Sequence, residues 1–224
     1  MVTADESKAA LRLLTAEAVE TSTGFLEAVG GAPEARRAAL LDGVPEIISY
    51  FSAGSAALAV DFYEEARELA GAQRAFVTEL VLVDRTVKIR RSIAWAADPL
   101  LTGDELAAKA RLAEVVEYET ALPNRVTTLE NRKRDPESVG WRRITSPGAC
   151  RFCRMLADRG AVYRKDTVRF AAHSPNCFCI AEPVFASNDP GTEVGMMQYV
   201  ASARRKTPAQ RAAVKAYLDA HYPE

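Results

Sequence analysis

All four cysteines of this chain fall in one short stretch, Cys150 to Cys179, and one of its only two histidines, His173, lies among them. A disulfide-stapled fold spreads its cysteines through the chain, so a single cluster argues for a metal site instead. The pattern is Cys150-Arg-Phe-Cys153, then nineteen residues, then His173-Ser-Pro-Asn-Cys177-Phe-Cys179. Two thiolates spaced as Cys-x-x-Cys on a tight turn build half of a tetrahedral site, and a second pair from a distant loop closes it. Thiolate and imidazole ligands suit Zn2+, here in a structural role. Five side chains compete for four positions. Cys150 and Cys153 form the first pair; His173 with Cys179 is favoured for the second, since Cys177 and Cys179 on a strand point opposite ways. Cys177 with Cys179 is the alternative, if a bulge turns the chain. Pro147-Gly148 and Pro175-Asn176 supply turns before each half.

The rest of the chain reads as helix followed by a small mixed module, an α+β fold. Leu11, Leu14, Val19, Phe25 and Val29 recur at helical spacing, and Gly30-Gly31 stops that element. Pro33 opens a short helix through Leu41, and Gly43 and Pro45 break the chain before an apolar helix from Glu46 to Leu69. Phe51, Leu58, Phe62 and Leu69 form its buried face. Phe76–Val83 is strand-like, Asp84–Ala97 helical, and Thr102 or Asp104 caps a further helix to about Thr120. The polar run Asn124–Gly140 reads as a linker. Short strands follow at Trp141–Ile144, Val162–Arg164 and Cys179–Phe185, and Thr207-Pro208 opens a last amphipathic helix to His221. The expected organisation is a helical docking region over 1–122, a linker over 123–140, a zinc-binding module over 141–186, and a loop and helix over 187–224. Trp95 and Trp141 read as core anchors.

With 224 residues, 48% of them hydrophobic, and a formal net charge of −1, the chain can bury a core and carries no global signal for nucleic acid or membrane. No apolar run approaches the roughly 20 residues of a span and no secretory signal is visible, so a protein made in the cytosol is expected. Charge is uneven, however. Arg142, Arg143, Arg151 and Arg154 belong to a basic stretch opposed only by Asp158 and Asp166, which argues for an anionic partner at the zinc end. Catalysis is not expected. A deaminase needs His-x-Glu upstream of its cysteines, a zincin needs His-Glu-x-x-His, and neither motif is present, nor is a phosphate-binding loop or nucleophile elbow.

Several blocks carry a likeness to a known family. They are Trp141-Arg-Arg-Ile, Pro147-Gly-Ala-Cys150-Arg-Phe-Cys153-Arg-Met-Leu-Ala157, Arg159 to Arg164, His173 to Cys179 and Glu182-Pro-Val-Phe185. Upstream, Ala56 to Tyr63, Ile93-Ala-Trp95 and Pro99-Leu100 join them. Together these resemble the MuF-like minor head proteins of tailed bacteriophages, in the form found in phages of actinobacteria, over about Val44 to Phe185. One departure is the spacing from His173 to Cys177, three residues where the family has two. The resemblance implies that Cys150, Cys153, His173, Cys177 and Cys179 close a metal module. It implies a minor capsid protein inside the virion head near the portal vertex, present in the host cytoplasm during assembly. Such a protein assists head morphogenesis and DNA packaging or ejection. The implied partners are the portal protein, major capsid or scaffold protein, and packaged double-stranded DNA, with Arg142, Arg143, Arg151 and Arg154 meeting DNA or an acidic face of the portal, and no membrane. A zinc-knuckle nucleic-acid-binding protein outside a virion is the alternative, and a zinc-dependent hydrolase or nuclease ranks below it.

Overall fold

The computed structural model describes residues 2–146, 148–165, 168–170, 172, 177–189 and 207–223. Four helices build the body: α1 (Ala4–Ala28), α2 (Pro33–Leu69), α3 (Thr86–Ala97), which runs on into a 3-10 turn at Asp98–Thr102, and α4 (Glu105–Arg134). Thr3 starts α1 with a reciprocal cap: its hydroxyl accepts from Glu6 N at 3.2 Å, and the Glu6 carboxylate accepts from Thr3 N at 2.8 Å. Asp104 caps α4 by accepting from Ala107 N at 2.9 Å. The main core joins Leu26, Leu40, Val44, Ile48, Ile93, Leu112 and Val116, with Leu14, Val19 and Phe25 packed at its margin.

The break expected at Gly43 and Pro45 is absent; α2 is one helix of 37 residues. Pro45 lacks an N–H, so the Leu41 carbonyl four residues back loses its helical partner. Arg90 from α3 donates to that carbonyl at 2.9 Å. Gly43 is a notch in the packing: a Cβ there would lie 2.7 Å from the Phe25 ring, so its bare backbone lets α1 lie close. Leu69, expected in the buried face, is exposed at the end of the helix. By length and composition α2 also meets the test for a membrane span. Its residues Leu40, Val44, Ile48, Ala56, Ala59 and Phe62 are buried within this fold.

The expected linker is not a linker as far as Arg134. Helix α4 runs through Pro123 and continues to that residue, and Asn124, Arg125, Thr127, Thr128, Asn131 and Arg132 are buried. Polar composition misleads here because this face meets backbone rather than solvent. Asn124 Nδ2 donates to the Ser55 carbonyl at 3.2 Å. Phe76–Val83 forms no strand, yet it is held to α4 as a strap. Thr127 and Asn131 bond both backbone groups of Val81 and Glu79 respectively. Past the strap, Arg85 makes a two-pronged bond to the buried Glu119 carboxylate, at 2.6 and 2.8 Å.

The remaining elements form a small module packed on this body. Strand β1 (Ser138–Ile144) pairs antiparallel with β2 (Ile180–Phe185), with Arg142 opposite Glu182 and Ile144 opposite Ile180. The third strand expected at Val162–Arg164 is a single bridge, Tyr163 to Trp141, and the two rings stack at 4.2 Å. Trp141 is buried as expected; Trp95 is half-exposed beneath the Arg111 guanidinium. Helix α5 (Arg151–Ala157) and helix α6 (Pro208–His221) pack together through Met155, Leu156 and Leu218. Module and body share one core patch, in which Ile180 of β2 meets Leu11, Phe62 and Ala121.

Candidate metal centre

The cysteines come from two elements that the sheet brings together. Cys150 is the N-cap of α5 and Cys153 lies in its first turn, while Cys177 and Cys179 immediately precede β2. The sulfurs of Cys153, Cys177 and Cys179 all lie within 4.8 Å of one another. Cys153 Sγ and Cys177 Sγ are 3.8 Å apart. A tetrahedral ion with metal–sulfur bonds of about 2.3 Å spaces its sulfurs about 3.8 Å apart, so the trio fits the donor geometry of a thiolate-bound ion.

This arrangement differs from the sequence expectation in two ways. Cys150 is exposed and is not among the three sulfurs that all lie within 4.8 Å of one another. The reason is the conformation of the pair: the helix beginning at Arg151 carries Cys153 inward and leaves Cys150 at its mouth. Cys177 and Cys179 converge because both lie before the strand starts, where side-chain alternation does not apply. His173 and the turn residues Pro147, Pro175 and Asn176 lie outside the described residues.

The loop carrying Cys177 and Cys179 is held through three successive carbonyls. Arg125 of α4 donates to Cys177 O, and through Nε to Cys179 O at 3.1 Å; Ser146 Oγ donates to Phe178 O at 3.1 Å. The Arg12 guanidinium of α1 sits 5.5 Å from the Phe178 ring centre. Arg143 approaches from β1, its Nη1 3.7 Å from Cys153 Sγ.

The electrostatics follow from crowding and burial. Hydrogen bonding with Cys177 and Cys179, reinforced by burial, pushes the Cys153 thiol far above its ordinary range. At Cys179 a hydrogen bond with Cys153 favours the thiolate, but the bond with Cys177 and burial outweigh it and the thiol is raised too. Both shifts favour the protonated thiols of Cys153 and Cys179, and a cation binding there would displace those protons. Burial pulls the Arg125 guanidinium below its usual range, while the charges of Cys177 and Cys179 push it back up.

The four arginines expected to meet an anionic partner are engaged within the fold. Arg142 pairs with Glu182 across the sheet and Arg151 with Asp219 of α6, while Arg154 donates to the Pro223 carbonyl at 2.7 Å. Arg143 is buried at 2% exposure, which corrects its assignment as a contact residue: its charge is directed at the cysteine cluster. Sequence reasoning missed Arg125 and Ser146. Arg125 sits in the run read as linker, where Asn124, Thr128 and Asn131 at helical spacing marked a buried polar face.

The VG15 protein family matches residues 2–213 of this chain. The chain belongs to the VG15 family. Membership marks it as a phage-encoded protein. No curated protein and no solved structure matches it. The VG15 match runs from α1 into α6, so helical body and cysteine cluster lie within one family unit.

Proposed function

We propose that the chain is a structural minor head protein of a tailed phage, of the MuF-like kind, whose C-terminal module is stapled by zinc. The observation that carries the structural part is the convergence of Cys153, Cys177 and Cys179 on one point. The module is small, two strands with α5 and α6, and a structural ion would add folding energy to its limited core. VG15 membership supports a phage role, and the motif resemblance supports the finer one, inside the head near the portal. The helical body then docks on portal, capsid or scaffold protein. The role proposed is assembly rather than catalysis.

The decisive experiment has two arms. Mass spectrometry of purified virions, with and without the head emptied of DNA, finds the chain as a head component retained with the portal. Elemental analysis of the purified chain finds one zinc per molecule. Absence of the chain from virions overturns the head-protein reading; absence of metal overturns the staple. The nucleic-acid alternative predicts DNA binding that weakens steeply with salt and is lost on replacing Arg142, Arg151 and Arg154 by alanine. The Glu182 and Asp219 pairings weigh against it.

A further inference from the structure

Arg125 is 1% exposed, and among the described residues no carboxylate pairs with it. Its donors go to the carbonyl oxygens of Cys177 and Cys179, and its face lies 5.0 Å from the Phe170 ring centre. Carbonyl oxygens and a ring face satisfy the donors of a guanidinium but do not neutralise its charge. A charge buried without a countercharge is strongly unfavourable, and side chains in that position are paired or neutralised. Among the described residues, the group placed to do this is the cysteine cluster. As three neutral thiols it offers no negative charge; as three thiolates around a divalent ion it carries at least one net negative charge. Arg143 adds a second buried cation, 3.7 Å from the Cys153 sulfur.

We propose that Arg125 is the countercharge and positioning residue of the metal centre, holding the backbone of both cysteines while offsetting the net negative charge of the loaded cluster. The inference rests on the metal-centre reading above and adds a residue from the helical body to it. Arg125 springs from the middle of α4, which also carries the Thr127 and Asn131 clamps on the strap. Metal occupancy in the module is thereby coupled to the order of the helical body. Residues that orient metal ligands from outside the coordination sphere commonly change affinity without changing the ligand set.

Cobalt(II) titrated into the metal-free full-length chain, with chelator competition, measures both properties, because thiolate-to-cobalt absorption reports the ligands. The expected result for Arg125→Met is an unchanged absorption envelope with affinity lower by about 10–100-fold, and Arg125→Lys falls between that and the parent chain. An Arg125→Met affinity within about twofold of the parent overturns the proposal. If the parent chain gives no thiolate band, the metal reading itself is overturned and Arg125's role with it. If the Met variant does not fold, the parent chain carries the test. Exchange of the Arg125 Nε proton, followed by NMR with zinc and after chelation, is expected to be slower by tenfold or more with zinc, on the order of other buried charged donors. Equal exchange in both states overturns the proposal.

Discussion

The side-chain amide of Asn131 grips both backbone groups of Glu79, accepting from its N–H at 2.9 Å and donating to its carbonyl at 2.7 Å. One turn earlier Thr127 does the same for Val81, at 3.2 and 3.1 Å. Four residues of helix rise about 6 Å and two of extended chain about 6.6 Å, so the two periods nearly coincide. Asn131→Asp keeps the acceptor but sets a carboxylate against the Glu79 carbonyl. The expected cost is about 1–3 kcal/mol. Limited proteolysis reads it directly, with cleavage between Arg74 and Val83 rising well before global unfolding.

Two glycines of α2 give opposite outcomes with alanine. A Cβ at Gly43 meets the Phe25 ring at 2.7 Å, whereas at Gly54 it meets only the terminal Leu14 Cδ1 at 2.8 Å. Both side chains pack at the margin of the core, but the Phe25 ring is rigid and meets the Cβ with two atoms, whereas a leucine methyl can rotate away. Gly43→Ala is expected to destabilise by about 1–3 kcal/mol. Gly54→Ala is expected to be neutral or to stabilise by up to about 1 kcal/mol, through helix propensity. Urea unfolding of both variants distinguishes them.

Tyr63 is fully buried and donates to Asp135 Oδ2 at 3.2 Å, beside the Arg67–Asp135 ion pair at 2.9 Å. Burial first, and the Asp135 charge second, push its pKa above the ordinary 10.0. The folded chain therefore keeps the phenol protonated where the unfolded chain ionises it. This contribution to stability is complete below pH 10 and is lost as pH rises above it. Tyr63→Phe is expected to cost about 1 kcal/mol at pH 7. Unfolding measured from pH 9 to 11.5 is expected to show a shallower alkaline decline in the variant; parallel curves refute the assignment.

Removing any one of Cys153, Cys177 or Cys179 is expected to abolish metal binding. Cys150→Ser and His173→Ala then decide the fourth ligand, with one of them losing the metal and the other keeping it. If loss of metal removes only about 3 kcal/mol, well below what zinc-finger peptides gain, Tm falls by roughly 6–12 °C in a chain of this length. Calorimetry before and after chelation measures that drop. An identical melt, with no metal found by elemental analysis, removes the staple.

Much of this architecture is legible in residue pattern, and the misreadings share a cause. The Thr207-Pro208 start of α6, the Asp104 cap and both paired strands follow from local chemistry. The residues that suggest a break in α2 and a linker have local preferences that distant partners override. Arg90 satisfies the carbonyl that Pro45 strands, Phe25 fills the space at Gly43, and the polar face of α4 bonds to strap and cysteine loop. At the candidate metal centre the cysteine cluster is legible from spacing. Which of its cysteines converge is not, because it depends on where α5 and β2 begin: Cys150 falls before the helix, and Cys177 and Cys179 fall before the strand.

The shared patch of Leu11 with Ile180 ties the first helix to the last strand of the sheet, and the 2.7 Å bond from Lys8 Nζ to the Thr145 carbonyl ties it to the chain just after β1. During synthesis α1 leaves the ribosome long before β2 exists. A nascent chain released up to α4 presents Leu11, Phe62 and Ala121 as a bare apolar patch, and closes it only when Ile180 emerges. Translation speed across the cysteine region therefore sets how long that patch stays open to other chains.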